Sequence, residues 1–347
     1  MKALLLREYS QLDIVDVPMP RPGPGEVLIK VEACGICGSD VHGYDGSSGR
    51  RIPPVVMGHE AAGVIAAVGS GVNDLHEGQP VTFDSTVYCG ECEFCRQGLM
   101  NLCLHREVLG VSTPDFRRQG AFAEYLVAPR RIVHPLPDGL ALIEAAMVEP
   151  LSVAVHAIKL SELPEKCTAL VIGAGMIGLL VLQALKQAGC ARILVSDIDD
   201  TRLALARELG ATVTIHAKSA DTVAESQRHT GGLGVDVALE AVGSTPTIKT
   251  AIESVRRGGT VTLIGNIAPT VEIPLQTVVS RQIRLQGTAA SSGEYPECID
   301  LLARGAINLK PLISMIAPLE EGPQWFDRLH AREANLMKVI LTPGKKA

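Results

Sequence analysis

A glycine-rich turn between a buried strand and a helix is the feature that most constrains the fold of this chain. Residues 169–172 are apolar and lead into Gly173-Ala174-Gly175-Met176-Ile177-Gly178, and residues 176–188 have the composition of a buried helix. Asp197 ends the next predicted strand, 19 residues after Gly178. A strand, a glycine turn, a helix and a carboxylate in this order predict a βαβ unit that binds a dinucleotide.

Each residue of this turn has a physical task in the predicted site. Gly173 makes the tight turn, Gly175 lets backbone N–H groups approach a pyrophosphate, and Gly178 allows helix and strand to pack closely. Asp197 accepts hydrogen bonds from ribose hydroxyls and repels a 2′-phosphate, so we expect NAD rather than NADP. A turn with a purely structural role is the alternative. We also assign these residues to the cofactor site: Ile177, Arg202, Ile264 and Gly265.

Strands and helices alternate from about residue 151 onward, which indicates a doubly wound parallel sheet. The predicted strands after the glycine turn are 192–196, 213–215, 235–239 and 260–264, and the predicted helices are 201–209, 220–229 and 246–255. Before residue 151, short β-branched runs separated by turn residues favour a small barrel or sandwich. After residue 287 the alternation stops, and a helix at 294–304 and a strand at 338–341 indicate a return to the first domain.

Four closely spaced cysteines are the second strong signal. Cys89, Cys92, Cys95 and Cys103 form what we call the four-cysteine loop. Four thiolates at this spacing fit a closed tetrahedral zinc site, whereas four reduced loop thiols or an iron–sulfur cluster are the alternatives. Because four thiolates leave no open coordination position, we expect this metal to stabilise a lobe at about residues 85–105.

A second set of potential ligands is dispersed along the chain. Cys34-Gly35-Ile36-Cys37 resembles a redox pair, but it lies in the β-rich half, so we interpret Cys37 as a ligand and Cys34 as a packing residue. The pair His59-Glu60 and the carboxylate of Glu149 offer an imidazole and two carboxylates. A cysteine, a histidine and a glutamate that leave one position for water or substrate are typical of a catalytic zinc site.

Composition excludes several classes of protein. Among 347 residues, 32 basic and 38 acidic side chains give a net charge of −6, which disfavours nucleic acid or an anionic membrane as the main partner. The apolar stretch 169–185 is too short for a membrane-spanning helix, and the first eight residues lack the apolar run of a signal peptide. We therefore expect a cytoplasmic protein whose nine cysteines stay reduced, an odd number that excludes a closed disulfide set.

Together these motifs resemble the zinc-dependent medium-chain dehydrogenase/reductase family over essentially the full chain, and within it the polyol (sorbitol) dehydrogenase-like and threonine dehydrogenase-like branch. The resemblance is carried by Gly58-His59-Glu60-x₂-Gly63-x₅-Gly69-x₂-Val72, Cys37-Gly38-Ser39-Asp40-Val41-His42, the four-cysteine loop, Glu149-Pro150-Leu151-Ser152-Val153-Ala154-Val155-His156-Ala157 and the glycine turn. Alcohol dehydrogenases of the same family carry a cysteine at the position that matches Glu149, so this departure favours the polyol and threonine branch.

The resemblance implies an α/β fold with two domains. A GroES-like β-barrel catalytic domain, with the zinc lobe, is expected to comprise residues 1–151 and 289–347. An NAD-binding Rossmann domain is expected to comprise residues 152–288. The resemblance also implies a homodimer or a homotetramer.

The resemblance further implies a zinc site that performs the chemistry. One catalytic zinc is held by Cys37 and His59, with Glu60 and Glu149 sharing the remaining positions, and one structural zinc is held by the four-cysteine loop. Glu149 binds the metal directly or through a water. The implied activity is NAD-linked oxidation of a secondary alcohol of a polyol, polyol phosphate or sugar acid by hydride transfer. L-threonine 3-dehydrogenase-type activity is one alternative, and a non-enzymatic dinucleotide-binding sensor is a more distant one.

The proton path and the substrate pocket are also implied by the family. The hydroxyl of Ser39 passes the substrate proton through the nicotinamide ribose toward His42, whereas a helix cap and a surface residue are the structural alternatives. Sorbitol-type enzymes have substrate-contacting Tyr and Arg residues where this chain has Gly43 and Ala290. The basic pair Arg50-Arg51 is interpreted as solvated loop charge rather than as a phosphate contact.

Overall fold

The computed structural model describes residues 1–113 and 116–344 and divides the chain into two compact units. The first unit comprises Met1–Glu149, Ser292–Gly305 and the chain from Leu309 onward, and the second comprises Pro150–Ser291 and Ala306–Asn308. The sequence places the domain boundaries at 151/152 and 288/289, whereas the units divide at 149/150 and 291/292.

Short strands dominate the N-terminal part of the first unit, as the β-branched runs between turn residues predict. Its elements are β1 (Lys2–Glu8), β2 (Gln11–Asp16), β3 (Glu26–Gly35), α1 (Gly38–Tyr44), β4 (Val55–Val56), β5 (Glu60–Val68), β6 (Pro80–Phe83), β7 (Thr86–Val87), α2 (Glu93–Arg96), β8 (Glu107–Leu109), β9 (Arg117–Arg118), β10 (Tyr125–Pro129), β11 (Val133–Pro135) and α3 (Leu142–Ala145).

The second unit is a six-stranded parallel sheet with helices between its strands. Its elements are α4 (Val148–Leu160), which starts at the boundary, β12 (Thr168–Ile172), α5 (Met176–Gln187), β13 (Arg192–Asp197), α6 (Asp200–Glu208), β14 (Val213–His216), α7 (Thr222–Arg228), β15 (Val235–Glu240), α8 (Thr245–Ser254), β16 (Val255–Leu263), α9 (Leu275–Ser280) and β17 (Arg284–Gly287). The strand order β14-β13-β12-β15-β16-β17 is that of a doubly wound nucleotide-binding sheet.

The predicted strands and helices of this unit are found to within two residues at each end, except that β16 begins at Val255 instead of Thr260; α9 and β17 are additional elements. β12 lies between β13 and β15, with Leu170 beside Leu194 and Ala238. All three residues are fully buried, because a central parallel strand is covered on both faces. The apolar stretch 169–185 is divided between β12 and α5. Within residues 1–113 and 116–344, no helix is long and apolar enough to cross a membrane.

The C-terminal segment of the first unit adds α10 (Tyr295–Ala303), β18 (Ile313–Pro318), α11 (Gly322–His330) and β19 (Lys338–Thr342). β19 pairs antiparallel with β3 and parallel with β18. The main sheet therefore has the order β11-β6-β5-β3-β19-β18, with β10 also paired to β3. This arrangement places the start of β19 next to the chain that leaves β3.

One cysteine pair departs from the sequence analysis. Cys167 and Cys190 form a disulfide, so the expectation that all nine cysteines stay reduced is wrong. Cys167 directly precedes β12 and Cys190 follows α5, and their Cα atoms are 4.8 Å apart. The spacing of 23 residues gave no indication of this pairing, because it arises only when the strand and helix pack side by side.

Candidate metal and cofactor sites

Three dispersed ligand candidates converge in the first unit. The ligand atoms of Cys37, His59 and Glu60 all lie within 4.8 Å of one another. The antiparallel pairing of β3 with β5 explains this convergence, because it sets Gly35 opposite Glu60. Cys37 then caps the N-terminus of α1, two residues after β3 ends, while His59 immediately precedes β5.

Asp40 lies beside the histidine of this group. Its carboxylate is fully buried, with Oδ1 3.3 Å from His59 Nδ1 and with Oδ2 accepting a hydrogen bond of 3.2 Å from the Cys37 backbone N–H. Burial opposes ionisation of Asp40, but His59 and Arg51 outweigh it and hold its pKa well below the usual range. A proton on Nδ1 facing Asp40 leaves His59 Nε2 for a metal, the usual arrangement of a metal-bound histidine.

A buried lysine neutralises Glu60. Lys338 Nζ lies 2.5 Å from Glu60 Oε2 and also donates to the carbonyl oxygen of Ile36 at 3.0 Å. Both charged side chains are at most 2% exposed. Burial lowers the pKa of Lys338, but the carboxylate of Glu60 and other nearby negative groups raise it above its ordinary value. Lys338 therefore stays charged and holds one oxygen of Glu60.

Glu149 is half-buried in the first turn of α4 and lies outside the group of three. Burial raises the pKa of Glu149 to about 7; the charge of His59 opposes this rise, and Glu60 and Asp84 add to it. Several carboxylates in a buried region cost free energy unless a cation neutralises them. A thiolate, an imidazole and carboxylates form a donor set that suits zinc, so the residues present fit the expected metal.

The two predicted relay residues lie on α1. Ser39 and His42 are three positions apart, so both face the same side of the helix, and both are exposed. The Ser39 backbone N–H donates to Cys37 Sγ at 3.5 Å, and its Oγ accepts a hydrogen bond of 3.2 Å from Arg51 Nη2.

Arg51 is not a solvated loop charge, so that interpretation is wrong for this residue. Its side chain is 3% exposed, and Nη2 forms an ion pair of 3.0 Å with Asp40 Oδ1. Its neighbour Arg50 is exposed, as expected. The sequence could not separate the two arginines, because the partner that buries one of them is Asp40, 11 residues earlier in the chain.

Sequence reasoning missed Asp40, Arg51 and Lys338 as members of the site. Two of them left a usable signal. Asp40 occupies the third position of α1, where a carboxylate completes a capping box with Cys37. Lys338 opens a strand whose next three residues, 339–341, are apolar and fully buried.

The four-cysteine loop has tetrahedral dimensions. The Sγ atoms are 3.5 Å apart for Cys89–Cys103 and Cys92–Cys95, and 3.9 Å apart for Cys89–Cys95 and Cys92–Cys103. A tetrahedron with zinc–sulfur bonds of 2.3 Å has edges of about 3.8 Å. Hydrogen bonds from the backbone at Cys95 and Leu104 lower the pKa of Cys92 to about 6, whereas burial raises the pKa of Cys95 to about 12. The donor set therefore fits a closed zinc site.

The glycine turn of the second unit connects β12 to α5. A Cβ at Gly178 would lie 1.7 Å from the carbonyl oxygen of Gly173, so only glycine permits this helix to approach the strand. Gly175 is the N-cap of α5, and a Cβ there would meet nothing within 4 Å, which leaves open space in front of the helix N-terminus. An anionic pyrophosphate fits such a cradle.

Asp197 lies at the end of β13 beside this turn. Its Oδ2 accepts a hydrogen bond of 2.5 Å from the Ala174 backbone N–H, and its Oδ1 accepts from the N–H groups of Ile198 and Asp199 at 2.7 and 3.0 Å. The carboxylate of Asp197 thus anchors the glycine turn. Both lie at the carboxyl ends of the strands, which is the edge where dinucleotides bind in sheets of this type.

The other assigned cofactor residues are more dispersed. Ile177 lies in the first turn of α5, and Ile264 and Gly265 follow the end of β16, where both N–H groups donate to the carbonyl oxygen of Glu240. Arg202 lies on α6 with an exposed side chain, and its backbone N–H donates to Asp199 Oδ1 at 3.1 Å. The strand ends of β12, β13 and β16 all point toward the same edge of the parallel sheet.

Comparisons with known proteins agree with this architecture. The chain matches the alcohol dehydrogenase GroES-like domain over residues 23–138 and the zinc-binding dehydrogenase family over residues 177–304. It is 35% identical over 350 residues to sorbitol dehydrogenase of Bacillus subtilis (strain 168), covering 99% of this chain and 98% of that protein. It is 36% identical over 338 residues to D-arabitol-phosphate dehydrogenase of Enterococcus avium, covering 96% and 94%.

A solved structure extends the agreement to the whole fold. A zinc-binding dehydrogenase from Sinorhizobium meliloti 1021, bound to NADP, is 34% identical with a TM-score of 0.91 and 99% coverage of each chain. These likenesses confirm the family, the α/β fold with GroES-like and Rossmann-like parts, and the enzymatic nature expected from the sequence. The chain belongs to the zinc-dependent medium-chain dehydrogenase/reductase family, in its polyol dehydrogenase branch.

Proposed function

We propose that this enzyme oxidises a secondary alcohol of a polyol, polyol phosphate or sugar acid to the ketone, using a catalytic zinc and NAD. The observation that carries the proposal is the convergence of Cys37, His59 and Glu60 within 4.8 Å, with Asp40 and Lys338 orienting two of the three. The substrate class is supported by relatives that are a sorbitol dehydrogenase and a D-arabitol-phosphate dehydrogenase.

The residues of the catalytic site have different roles. Cys37, His59 and Glu60 would hold the metal, and Glu149 is the candidate for the remaining protein contact, made directly or through water. A zinc ion bound there lowers the pKa of a coordinated hydroxyl toward neutrality. Asp40 keeps the imidazole in the tautomer that binds metal.

The proton of the substrate hydroxyl has a path along α1. Ser39 Oγ would accept this proton and give up its own toward the ribose of bound NAD, and His42 would receive a proton near solvent. NAD bound in the second unit would supply the hydride acceptor, and the glycine turn would hold its pyrophosphate and Asp197 its ribose.

We further propose two zinc ions per chain, the second bound by Cys89, Cys92, Cys95 and Cys103. This closed site has no position for substrate, so its metal stabilises the lobe. The catalytic domain would comprise residues 1–151 and 289–347 and the NAD domain residues 152–288. The resemblance to the family supports a cytoplasmic homodimer or homotetramer.

A substrate screen tests the proposed activity. NAD reduction is followed by absorbance with polyols, polyol phosphates, aldonates and L-threonine, using the zinc-loaded enzyme and, as a control, His59→Ala. We expect turnover with at least one polyol-type substrate that His59→Ala lacks. Turnover with L-threonine alone would establish the alternative dehydrogenase activity. NAD binding without turnover on any substrate would point to a sensor and would contradict the proposal.

A further inference from the structure

A single buried guanidinium nitrogen links two parts of the catalytic site. Nη2 of Arg51 donates to Asp40 Oδ1 at 3.0 Å and to Ser39 Oγ at 3.2 Å. Asp40 in turn contacts His59 at 3.3 Å. One nitrogen therefore connects the carboxylate that orients a metal ligand with the hydroxyl assigned to the proton path.

We propose that Arg51 is a positioning residue for proton transfer, which fixes the direction of the Ser39 hydroxyl; this inference rests on the proposed function. An arginine can only donate hydrogen bonds, and a serine hydroxyl has two acceptor lone pairs and one proton. Arg51 occupies one lone pair of Ser39 Oγ. The second lone pair is left to accept the substrate proton, and the hydroxyl proton must point away from Arg51.

The proton balance follows from this geometry. The O–H bond of the substrate breaks as a new O–H bond forms at Ser39 Oγ. The original O–H bond of Ser39 breaks at the same time, and its proton passes through the ribose hydroxyl to His42. Arg51 keeps all of its protons, and its fixed donor prevents Ser39 from rotating its own proton toward Asp40.

Stability alone does not explain why this side chain is present. Arg51 is 3% exposed, and its Nε is buried with no hydrogen-bond partner in the part of the chain that the structure describes. A buried donor without a partner and a buried charge both carry a cost. Asp40 already has the Cys37 N–H and His59 as partners.

Gly43 makes room for this arginine. A Cβ at Gly43 would lie 2.0 Å from Arg51 Cγ and 2.8 Å from Arg51 Cβ, so any side chain there would displace the arginine. Gly43 and Arg51 are therefore a matched pair.

A double-mutant cycle tests the inference with the zinc-loaded, full-length enzyme and a substrate found in the screen above. Its variants are Arg51→Met, Ser39→Ala and the double variant, with Arg51→Lys as the conservative rescue and Arg50→Met as the exposed neighbouring control. We expect Arg51→Met to lower kcat by about 10–100-fold, a part of the roughly 10²–10⁴-fold that a positioned proton transfer contributes, with the KM for NAD unchanged. In the Ser39→Ala background the same substitution should lower kcat by less than about threefold, because coupled residues are non-additive.

Further variants separate positioning from structure. Arg51→Lys retains a donor and should recover most of the lost kcat, whereas Arg50→Met should match the wild type. Gly43→Ala displaces Arg51 without removing it and should lower kcat in the same way. Zinc content and Tm are measured for each variant.

Three results would overturn the inference. One is an Arg51→Met variant as active as Arg50→Met. Another is an equal kcat loss from Arg51→Met with and without Ser39, which indicates a structural role. The third is a Ser39→Ala variant whose kcat equals that of the wild type. By contrast, a wild-type enzyme that oxidises no alcohol in the screen would contradict the proposed function itself.

Discussion

The two cysteine-bearing clusters of the first unit are built in different ways. The four-cysteine loop takes all of its ligand candidates from 15 consecutive residues, Cys89 to Cys103. The group of Cys37, His59 and Glu60 draws on the ends of β3 and β5, and Lys338 of β19 supports it from 278 residues away. A local loop can bind metal with few outside contacts, whereas the dispersed group needs the whole sheet in place.

The surroundings of the two clusters differ as well. Around the dispersed group, Asp40 and Lys338 are buried charges, of which Asp40 contacts the His59 side chain and the Cys37 backbone and Lys338 contacts Glu60. In the four-cysteine loop, backbone N–H groups of Cys89, Cys92 and His105 donate to the sulfur atoms at 3.3–3.4 Å. Side chains that hydrogen-bond metal ligands set the orientation and basicity of those ligands. Backbone hydrogen bonds to the cysteine sulfurs stabilise the conformation of the loop. Substitutions in each cluster should separate these two roles.

The largest effect is expected at the dispersed group. His59→Ala removes a ligand and should lower kcat by about a thousandfold or more, because the metal supplies several kcal/mol of barrier lowering. Steady-state kinetics with the best substrate measure the loss. His76→Ala, an exposed histidine of the same unit, is the matched control and should leave kcat unchanged. Comparable kcat values for the two variants would refute the assignment of His59.

In the four-cysteine loop the expected effect is on stability. Cys92→Ser should remove one zinc and lower the free energy of unfolding by about 4 kcal/mol, the size typical of losing a bound metal. Below its lowered Tm the variant should keep kcat within about threefold, because this zinc does not touch the substrate. Thermal unfolding and zinc content are measured beside Glu91→Ala, an exposed residue of the same loop. An unchanged Tm would argue against a metal in this loop.

The contribution of the buried Lys338–Glu60 pair to stability should depend on whether metal is bound. Lys338→Met leaves the Glu60 carboxylate buried without its partner, which should cost about 3 kcal/mol of stability in the metal-free protein. Zinc bound beside Glu60 offsets part of that charge, so the loss in the zinc-loaded protein should be smaller. Chemical denaturation with and without chelator compares the two losses, and equal losses would show that no metal lies beside Glu60.

The smallest effect is expected in the second unit. Asp197→Ala should raise the KM for NAD by about tenfold, as the loss of a charged hydrogen bond predicts, and should reduce the preference for NAD over NADP. Asp199→Ala removes the adjacent carboxylate, which caps α6, and should lower Tm slightly without changing the preference. A cofactor preference unaffected by Asp197→Ala would show that this residue only anchors the glycine turn.

The contrast between a local cluster and a dispersed one explains which features the sequence could predict. The parallel sheet, the glycine turn and the close approach of the four cysteines follow from residues near one another in the chain. Arg51 and the Cys167–Cys190 disulfide could not be placed, because each depends on contacts between separate elements. Lys338 left only the signal of a lysine at the start of a buried strand, and its partner Glu60 lies in another element. A buried arginine and a solvated one look alike until their partner is known.

The central claim is that the two clusters hold separate metals with separate tasks. It is tested most directly by measuring zinc per chain and turnover on the same samples of wild type and Cys37→Ser, with thermal unfolding as the check of folding. We expect two zinc ions in the wild type, and one zinc ion and no measurable turnover in a folded Cys37→Ser variant. Turnover retained by Cys37→Ser, or a wild type that binds only one zinc ion, would contradict it.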